Sequence, residues 1–295
     1  MYWILFTLLA TLLWALGNII DKHILSKWIT KPMIPVMFVG IIGLLSSVVI
    51  YFFQGFETLS NINIAWAFIA GTLYILTNIF YYKAINLEEA SRVMALFQLT
   101  PLFVSIIAAV FLGEIFFIVN YVGIILLVIG AIMISSKNSI SLKFEKSFWF
   151  MMLASFSWAV MMVITKYLLD FADFWTIFSY SRIGTIFVLI PIVYFSYNDL
   201  LLAIKEKGKK IILIVSIPES IGIVAILLIT IATVDGYVTF VNALTSLQPL
   251  FVLVMAVILS KFYPKILKEE IGKSIVIKKI IAIIIMVLGA ILVTG

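Results

Sequence analysis

Long apolar runs alternate along the chain with short polar or charged stretches. Ten of these runs are close to the roughly 20 residues that an α-helix needs to cross the hydrocarbon core of a membrane. The pattern predicts an all-α polytopic membrane protein with ten transmembrane helices, called here spans 1–10. Their approximate limits are 2–22, 33–53, 63–85, 91–113, 118–136, 148–169, 174–195, 211–234, 236–260 and 278–294.

The composition points to the same class of protein. Hydrophobic residues make up 64% of the 295 residues, charged residues make up 12%, and the mean hydropathy is +1.25. Soluble domains are about 45–50% apolar and about 25% charged, so no soluble core of this size could bury the excess. Ten helices leave only short connections, which excludes a large soluble catalytic domain, a β-barrel and a sizeable disordered tail.

The basic residues are distributed very unevenly between the two sides of the predicted bundle. Of the 20 Lys and Arg residues, eighteen lie in the connections that follow spans 1, 3, 5, 7 and 9. Because basic loops stay in the cytoplasm, this count predicts a multi-pass protein of the cell membrane with both termini outside. The net charge of +6 then reflects topology and contact with anionic lipids, and no nucleic-acid partner is expected.

The sequence contains an internal repeat. Residues 99–104 (LTPLFV) correspond to residues 247–252 (LQPLFV) with an offset of 148. Trp14 precedes Lys22 by eight residues, as Trp158 precedes Lys166, and residues 128–132 (VIGAI) correspond to 287–291 (VLGAI). We therefore expect two five-helix repeats, 1–136 and 148–295, joined by a cytoplasmic linker at 137–147. Since five is odd, the second repeat is inverted relative to the first, as in many secondary transporters.

Three stretches carry a resemblance to a known family: LLWAL in span 1, NLEEASRVMALFQLTPLFVSIIAAVFLGE around span 4, and GIILLVIGAIMI in span 5. They resemble the EamA-type repeat of the drug/metabolite transporter superfamily. The resemblance implies ten helices, a central cavity between the halves and alternating access, with substrates such as amino acids, nucleotide sugars and choline-like cations. It also implies cytoplasmic termini in many members, whereas the loop charges here predict the reverse.

Pro101 and Pro249 occupy equivalent positions near the middle of spans 4 and 9. A proline inside a helix removes one hydrogen bond and breaks the helix, and such backbone is tolerated at this depth only where it faces protein or water. The polar residues around these breaks are therefore predicted to bind substrate in a cavity. The alternative is plain hydrogen bonding between helices. These residues are Gln98, Thr100, Asn242, Ser246 and Gln248.

Aromatic and amide side chains extend the predicted binding site. Trp14, Tyr74 and Trp158 could enclose an ammonium group by cation–π attraction, although packing is an alternative role in a chain with 15% aromatic residues. Asn18 and Asn78 are polar residues within apolar spans, so we expect them to face the interior of the bundle.

Glu219 in span 8 is the costliest side chain in the sequence, because a carboxylate at this depth must be paired, neutral or in contact with water. Arg182 in span 7 is the expected partner. Two interpretations stay open: a structural ion pair between Glu219 and Arg182, or a coupling site at which Glu219 takes up a proton or a cationic substrate group. Lys22 and Lys166 are either gate residues that pair with nearby aspartates or lysines that snorkel to the interface.

The sequence has no Walker A loop, no serine–histidine–aspartate set, no cysteine and only one histidine. An ATP-driven pump, an enzyme, a metal site and a cofactor are therefore not expected. The predicted function is a secondary transporter or facilitator of a small polar metabolite, amino-acid-like or amine-like, that works by alternating access with protons as a candidate coupling ion. The alternative is a non-transporting membrane protein in lipid handling or complex assembly. The expected partners are the lipid bilayer and a small-molecule substrate, and a homodimer is left open.

Overall fold

A computed structural model describes residues 2–29, 31–87, 93, 96–135, 146–262 and 273–294, and all regular secondary structure in these ranges is helical. The helices are α1 (Tyr2–Lys27), α2 (Met33–Gln54), α3 (Asn61–Leu87), α4 (Thr100–Phe111), α5 (Ile118–Ser135), α6 (Lys146–Leu168), α7 (Phe174–Gly184), α8 (Ile186–Lys207), α9 (Lys210–Asp235), α10 (Val238–Thr245), α11 (Gln248–Phe262) and α12 (Lys273–Thr294).

The helices coincide with the predicted apolar spans. In the described part of the chain, eight helical segments are long and apolar enough to cross a membrane, and two shorter apolar helices cover Thr100–Phe111 and Ile118–Met133. The chain is therefore a polytopic membrane protein. The first residues of predicted span 4 and nearly all of the linker 137–147 fall outside the described residues.

Span 7 is longer than its apolar pattern indicated. After a break at Thr185 its second part, α8, continues to Lys207 instead of ending near residue 195. Leucine, alanine, lysine and glutamate dominate the added segment, and all four favour helix even outside the hydrocarbon core. The helix ends at Gly208, which has a φ of 81° and donates its N–H to the Ile204 carbonyl at 2.8 Å. Glycine adopts this left-handed conformation without steric cost.

The two identical Pro-Leu-Phe-Val runs lie at the start of new helices. Turns at residues 98–99 and 246–247 directly precede α4 and α11, and Pro101 and Pro249 are the second residues of these helices. The sequence predicts a helix break at each proline, near the middle of spans 4 and 9; the turns lie two residues before Pro101 and Pro249, so each proline stands in the first turn of the next helix. In the first turn of a helix a proline removes no hydrogen bond, because that N–H has no partner within the helix.

Three pairs of helices make the most extensive contacts: α3 with α6, α1 with α9, and α5 with α12. The last pair approaches closely at two glycines. A Cβ atom added to Gly123 would lie 2.8 Å from the Gly289 carbonyl oxygen, and one added to Gly289 would lie 2.8 Å from the Gly123 carbonyl oxygen. Larger residues at either position would force α5 and α12 apart.

A buried glutamate links the two halves of the chain. Glu114, 5% exposed, follows α4, and its two carboxylate oxygens accept the backbone N–H groups of Val238 at 2.9 Å and Thr239 at 3.0 Å. These N–H groups open α10 and have no partner within the helix. Glu114 therefore caps α10 and compensates the positive end of its dipole.

Candidate functional site

Helices α1 and α9 touch where Gly17 faces Pro218. A Cβ atom at position 17 would lie 3.9 Å from the Pro218 carbonyl oxygen, which is ordinary van der Waals contact. Asp21 follows Gly17 by one helical turn and so lies on the same face of α1, and Glu219 directly follows Pro218. The contact brings an acidic residue of the first half beside an acidic residue of the second half.

Asp21 and Glu219 share one hydroxyl group, that of Tyr82 on α3. The Tyr82 hydroxyl oxygen lies 3.1 Å from Glu219 Oε1 and 3.5 Å from Asp21 Oδ2. Tyr82 and Glu219 are buried, with 3% and 8% of their surfaces exposed, while Asp21 is half-buried. We call these three residues the carboxyl cluster.

The carboxyl cluster has one hydroxyl hydrogen to donate, and two carboxylates lie within reach of it. A tyrosine hydroxyl has one hydrogen, so Tyr82 can donate to only one carboxylate at a time, and an ionised carboxylate is an acceptor only. When Tyr82 donates to Glu219, a second hydrogen bond to Asp21 forms only if Asp21 is itself protonated. Two unprotonated carboxylates at this depth would be costly. A bound proton or another cationic group would lower this cost and supply the missing donor.

An aromatic wall faces the carboxyl cluster across a central cavity. The rings of Trp14 and Trp158 meet edge to face with 5.4 Å between their centroids. Phe97 and Tyr74 lie next to Trp158, at centroid distances of 6.1 and 6.4 Å. Such rings present negative faces that attract organic cations.

The cavity has a volume of about 130 Å³ and is lined by helices of both halves. Ten residues singled out from the sequence line it, and no lysine, arginine or histidine is among its described lining residues. Together with the carboxyl cluster, this composition suits a small ligand that carries positive charge. The ten residues are Trp14, Asn18, Tyr74, Asn78, Gln98, Thr100, Pro101, Trp158, Glu219 and Gln248.

Two predicted binding residues, Asn242 and Ser246, and the predicted helix-break residue Pro249 are not among the lining residues. Asn242 is 1% exposed, and its side-chain oxygen accepts the Trp158 indole N–H at 3.1 Å, so it positions the aromatic wall from behind. Ser246 is fully buried in the turn before α11. Pro249 is buried. It directly follows Gln248, which lines the cavity.

Of the two candidate gate lysines, the structure describes the side-chain contacts of Lys166 alone. Lys166 donates from Nζ to the carbonyl oxygens of Thr233 at 2.7 Å and Val234 at 3.1 Å. Both carbonyls belong to the last turn of α9, so Lys166 caps the negative end of that helix. The side chain of Lys22 lies outside the part of the chain that the structure describes.

The expected ion pair between Arg182 and Glu219 is not formed. Within the described residues, the salt bridge at 4.0 Å or less joins Lys31 and Asp199 instead. The Arg182 guanidinium lies 3.9 Å from the centroid of the Tyr74 ring, whereas Glu219 is bonded to Tyr82, two turns further along α3. Eight residues at 1.5 Å each separate these tyrosines by about 12 Å along the helix axis.

Sequence reasoning missed the participation of Asp21 and Tyr82 in the site. Asp21 ends the first apolar run, so its position suggested an interfacial partner for Lys22. The available signal was spacing: Asp21 lies three residues after Asn18 and seven after Trp14, so the three residues share one face of α1. A polar stripe within an apolar helix indicates a face turned toward protein or water.

Comparisons with known proteins agree with this architecture. Residues 1–136 match the model of the EamA-like transporter family. A solved structure described as "Crystal structure of protein" superposes with a TM-score of 0.71 at 15% identity, over 99% of this chain and 96% of that chain, which shows a shared fold alone. No sequence among the curated proteins matches the chain. The chain is thus a multi-pass membrane protein whose residues 1–136 match the model of the EamA-like transporter family.

Proposed function

We propose that the protein is a secondary transporter that exchanges a small amine-bearing metabolite for protons across the cell membrane. The observation that carries this proposal is the carboxyl cluster, in which Asp21 and Glu219 compete for the single hydroxyl hydrogen of Tyr82. The cluster opens on an aromatic cavity whose described lining residues include no basic side chain.

An ammonium group supplies the positive charge that the carboxyl cluster lacks. A primary ammonium has three N–H donors and no acceptor, so it can satisfy both carboxylates at once while its charge rests against the faces of Trp14 and Trp158. A quaternary ammonium has no N–H, and it offsets the carboxylates by its charge and binds the same ring faces. A proton bound by Asp21 or Glu219 fills the same need. Because either occupant removes the cost of a second bare charge, proton and substrate exclude each other, and this competition is the basis of coupled exchange.

Alternating access requires two halves that move relative to each other, and several features support two inverted repeats, 1–136 and 148–295. The turns before α4 and α11 carry the same bonds 148 residues apart: Leu99 N–H to Leu96 O at 3.1 Å, and Leu247 N–H to Leu244 O at 3.0 Å. If spans 1–5 correspond to spans 6–10, α1 corresponds to α6 and α3 corresponds to α9. The contact between α1 and α9 is then equivalent to the contact between α6 and α3. The contact between α5 and α12 joins two helices that correspond to each other. The cavity lies between the halves, as expected for a transporter of this kind.

The proposal is tested by ligand stabilisation followed by flux. The purified chain is heated in detergent with primary amines, quaternary ammonium compounds, amino acids or sugar phosphates. Compounds with an ammonium group should raise the unfolding midpoint, and sugar phosphates should not. In proteoliposomes containing a pH-sensitive dye, adding a stabilising quaternary ammonium compound outside should then move protons outward. Stabilisation by sugar phosphates alone, or stabilisation without any flux, would contradict the proposal.

A further inference from the structure

Behind the cavity wall lies a buried cation without a counter-ion. Arg182 on α7 is 2% exposed, and no carboxylate oxygen of the described residues lies within 4.0 Å of its guanidinium nitrogens. Its Nε and Nη2 donate to the Ser181 hydroxyl at 3.4 and 3.3 Å, while Nη1 has no hydrogen-bond partner. Among the described residues, the charge of Arg182 thus faces the neutral Ser181 hydroxyl and the side chains of Tyr74 and Phe178, and no carboxylate.

A guanidinium stays charged in a protein interior, and a buried charge that lacks its partner is strongly destabilising. The neighbouring groups compensate it weakly. The Tyr74 ring centroid lies 3.9 Å and the Phe178 ring centroid 5.3 Å from the Arg182 guanidinium carbon, and ring faces attract cations less than an anion does. The free Nη1 donor points to an anionic acceptor that the described residues do not provide.

Arg182 is separated from the cavity by one aromatic ring. Tyr74 lines the cavity and also lies over the Arg182 guanidinium. The backbones of α3 and α7 approach closely here, because a Cβ atom at Gly71 would clash with the Ser181 carbonyl oxygen. Tyr74 follows Gly71 on α3, and Arg182 follows Ser181 on α7. A turn of the Tyr74 side chain would therefore expose Arg182 to a ligand in the cavity.

We propose that Arg182 is an anion-binding subsite that takes the carboxylate of a bound zwitterion, or a free halide in its place, when the Tyr74 ring turns aside. The proposal rests on the proposed function, since the ammonium end of the zwitterion binds at the carboxyl cluster. The two subsites lie about 12 Å apart along α3. This separation favours a substrate whose ammonium and carboxylate groups are at opposite ends of a short chain over an α-amino acid.

Matched ligands measure the contribution of the anion. Affinities are obtained from the unfolding midpoint of the purified chain titrated with glycine, γ-aminobutyrate and ε-aminohexanoate, and with methylamine, propylamine and pentylamine, which have the same chains without the carboxylate. In the wild-type protein the carboxylate should raise affinity for the longest member by about tenfold or more. Arg182→Met should abolish that gain and leave the alkylamine affinities unchanged, and Arg182→Lys should retain part of it.

A second titration distinguishes the source of the anion. If a free halide occupies the subsite, replacing chloride with gluconate should lower the wild-type midpoint by several degrees and leave that of Arg182→Met unchanged. Lys31→Met is the matched control, since Lys31 is a surface cation with 59% of its side chain exposed, and it should behave as wild type in both titrations. Arg182→Met removes an uncompensated buried charge, so it is expected to fold.

Two results would overturn the proposal that Arg182 is an anion-binding subsite. It fails if neither the carboxylate nor chloride stabilises the wild-type protein, or if either stabilisation persists unchanged in Arg182→Met. Binding of the alkylamines tests the carboxyl cluster alone, so failure of the anion subsite is distinguishable from failure of the proposed amine transport.

Discussion

The indole rings of Trp14 and Trp158 meet edge to face, with 5.4 Å between their centroids and 73° between their planes. The first belongs to α1 and the second to α6, so this contact joins the two halves of the chain at the wall of the cavity. The two tryptophans also hold corresponding positions in the sequence, each eight residues before a lysine.

We predict that Trp14→Ala lowers the affinity for a stabilising quaternary ammonium ligand by about thirtyfold. The substitution removes one aromatic face from the cavity, and a desolvated cation–π contact contributes about 2 kcal/mol. The measurement is a ligand titration of the unfolding midpoint. Trp66→Ala is the control, because Trp66 is 39% exposed and does not line the cavity. Equal losses in both variants would show that the aromatic wall has no specific role in binding.

The cap on α10 predicts a stability effect without a binding effect. Glu114→Ala leaves the buried N–H groups of Val238 and Thr239 without their acceptors, and each unsatisfied donor costs about 1–3 kcal/mol. The unfolding midpoint should fall clearly, and Glu114→Gln, which keeps one acceptor oxygen, should lose less. Glu206→Gln, a change at an exposed position of α8, should leave the midpoint unchanged. A midpoint for Glu114→Ala equal to that of the wild type would contradict the capping role.

Lys166 is expected to act as a helix cap, in contrast to the gate suggested by its sequence position. Lys166→Met removes both bonds to the final carbonyls of α9, so the unfolding midpoint should fall while ligand affinity and flux per folded molecule remain close to wild type. Thermal melts and proteoliposome flux on the same preparation separate the two roles. A normal midpoint with altered flux would restore the gate hypothesis.

The apolar runs predicted the helices well because crossing a hydrocarbon core imposes a minimum length and an apolar surface on each helix. The extension of α8 to Lys207 was not predictable in this way, since helix outside the membrane does not need apolar residues. The turns at residues 98–99 and 246–247 lie just before Pro101 and Pro249, the two positions at which the sequence predicts helix breaks. A proline marks a nearby break but is compatible with the first turn that follows the break.

Most of the cavity was predictable, since polar and aromatic residues within apolar spans are turned inward by the cost of exposing polar groups to lipid. The partners of the charged residues Arg182 and Glu219 were not predictable. Arg182 and Glu219 were expected to meet because their helices are adjacent in sequence and their depths are similar. Pairing also depends on the rotation of each helix about its axis, which sequence spacing does not provide. Tertiary packing turns Arg182 toward Tyr74 and Glu219 toward Tyr82.

The loop charges predict the orientation in the membrane. With eighteen of the 20 basic residues on the side of the odd-numbered loops, both termini should be outside the cell. A reporter that is active only in the cytoplasm, fused after Gly295, should be silent, and one fused within the 137–147 linker should be active. The reverse pattern would show that the orientation is inverted.

Proton coupling through Glu219 is the central claim, and Glu219→Gln tests it with little change in shape. The amide keeps an acceptor for the Tyr82 hydroxyl, and Arg182 does not lose a partner, since the two side chains do not form an ion pair. The variant should therefore melt close to the wild-type midpoint, whereas a structural ion pair would make it melt much earlier.

The decisive measurement is the uptake of a labelled quaternary ammonium ligand into proteoliposomes with an acidic interior, compared with uptake at equal pH on both sides. The acidic interior should drive accumulation by wild-type protein, because each proton that leaves is exchanged for a ligand that enters. Glu219→Gln should lose this accumulation and retain exchange of labelled for unlabelled ligand. Wild-type-like accumulation by Glu219→Gln would contradict proton coupling at this residue, whatever the thermal melts show.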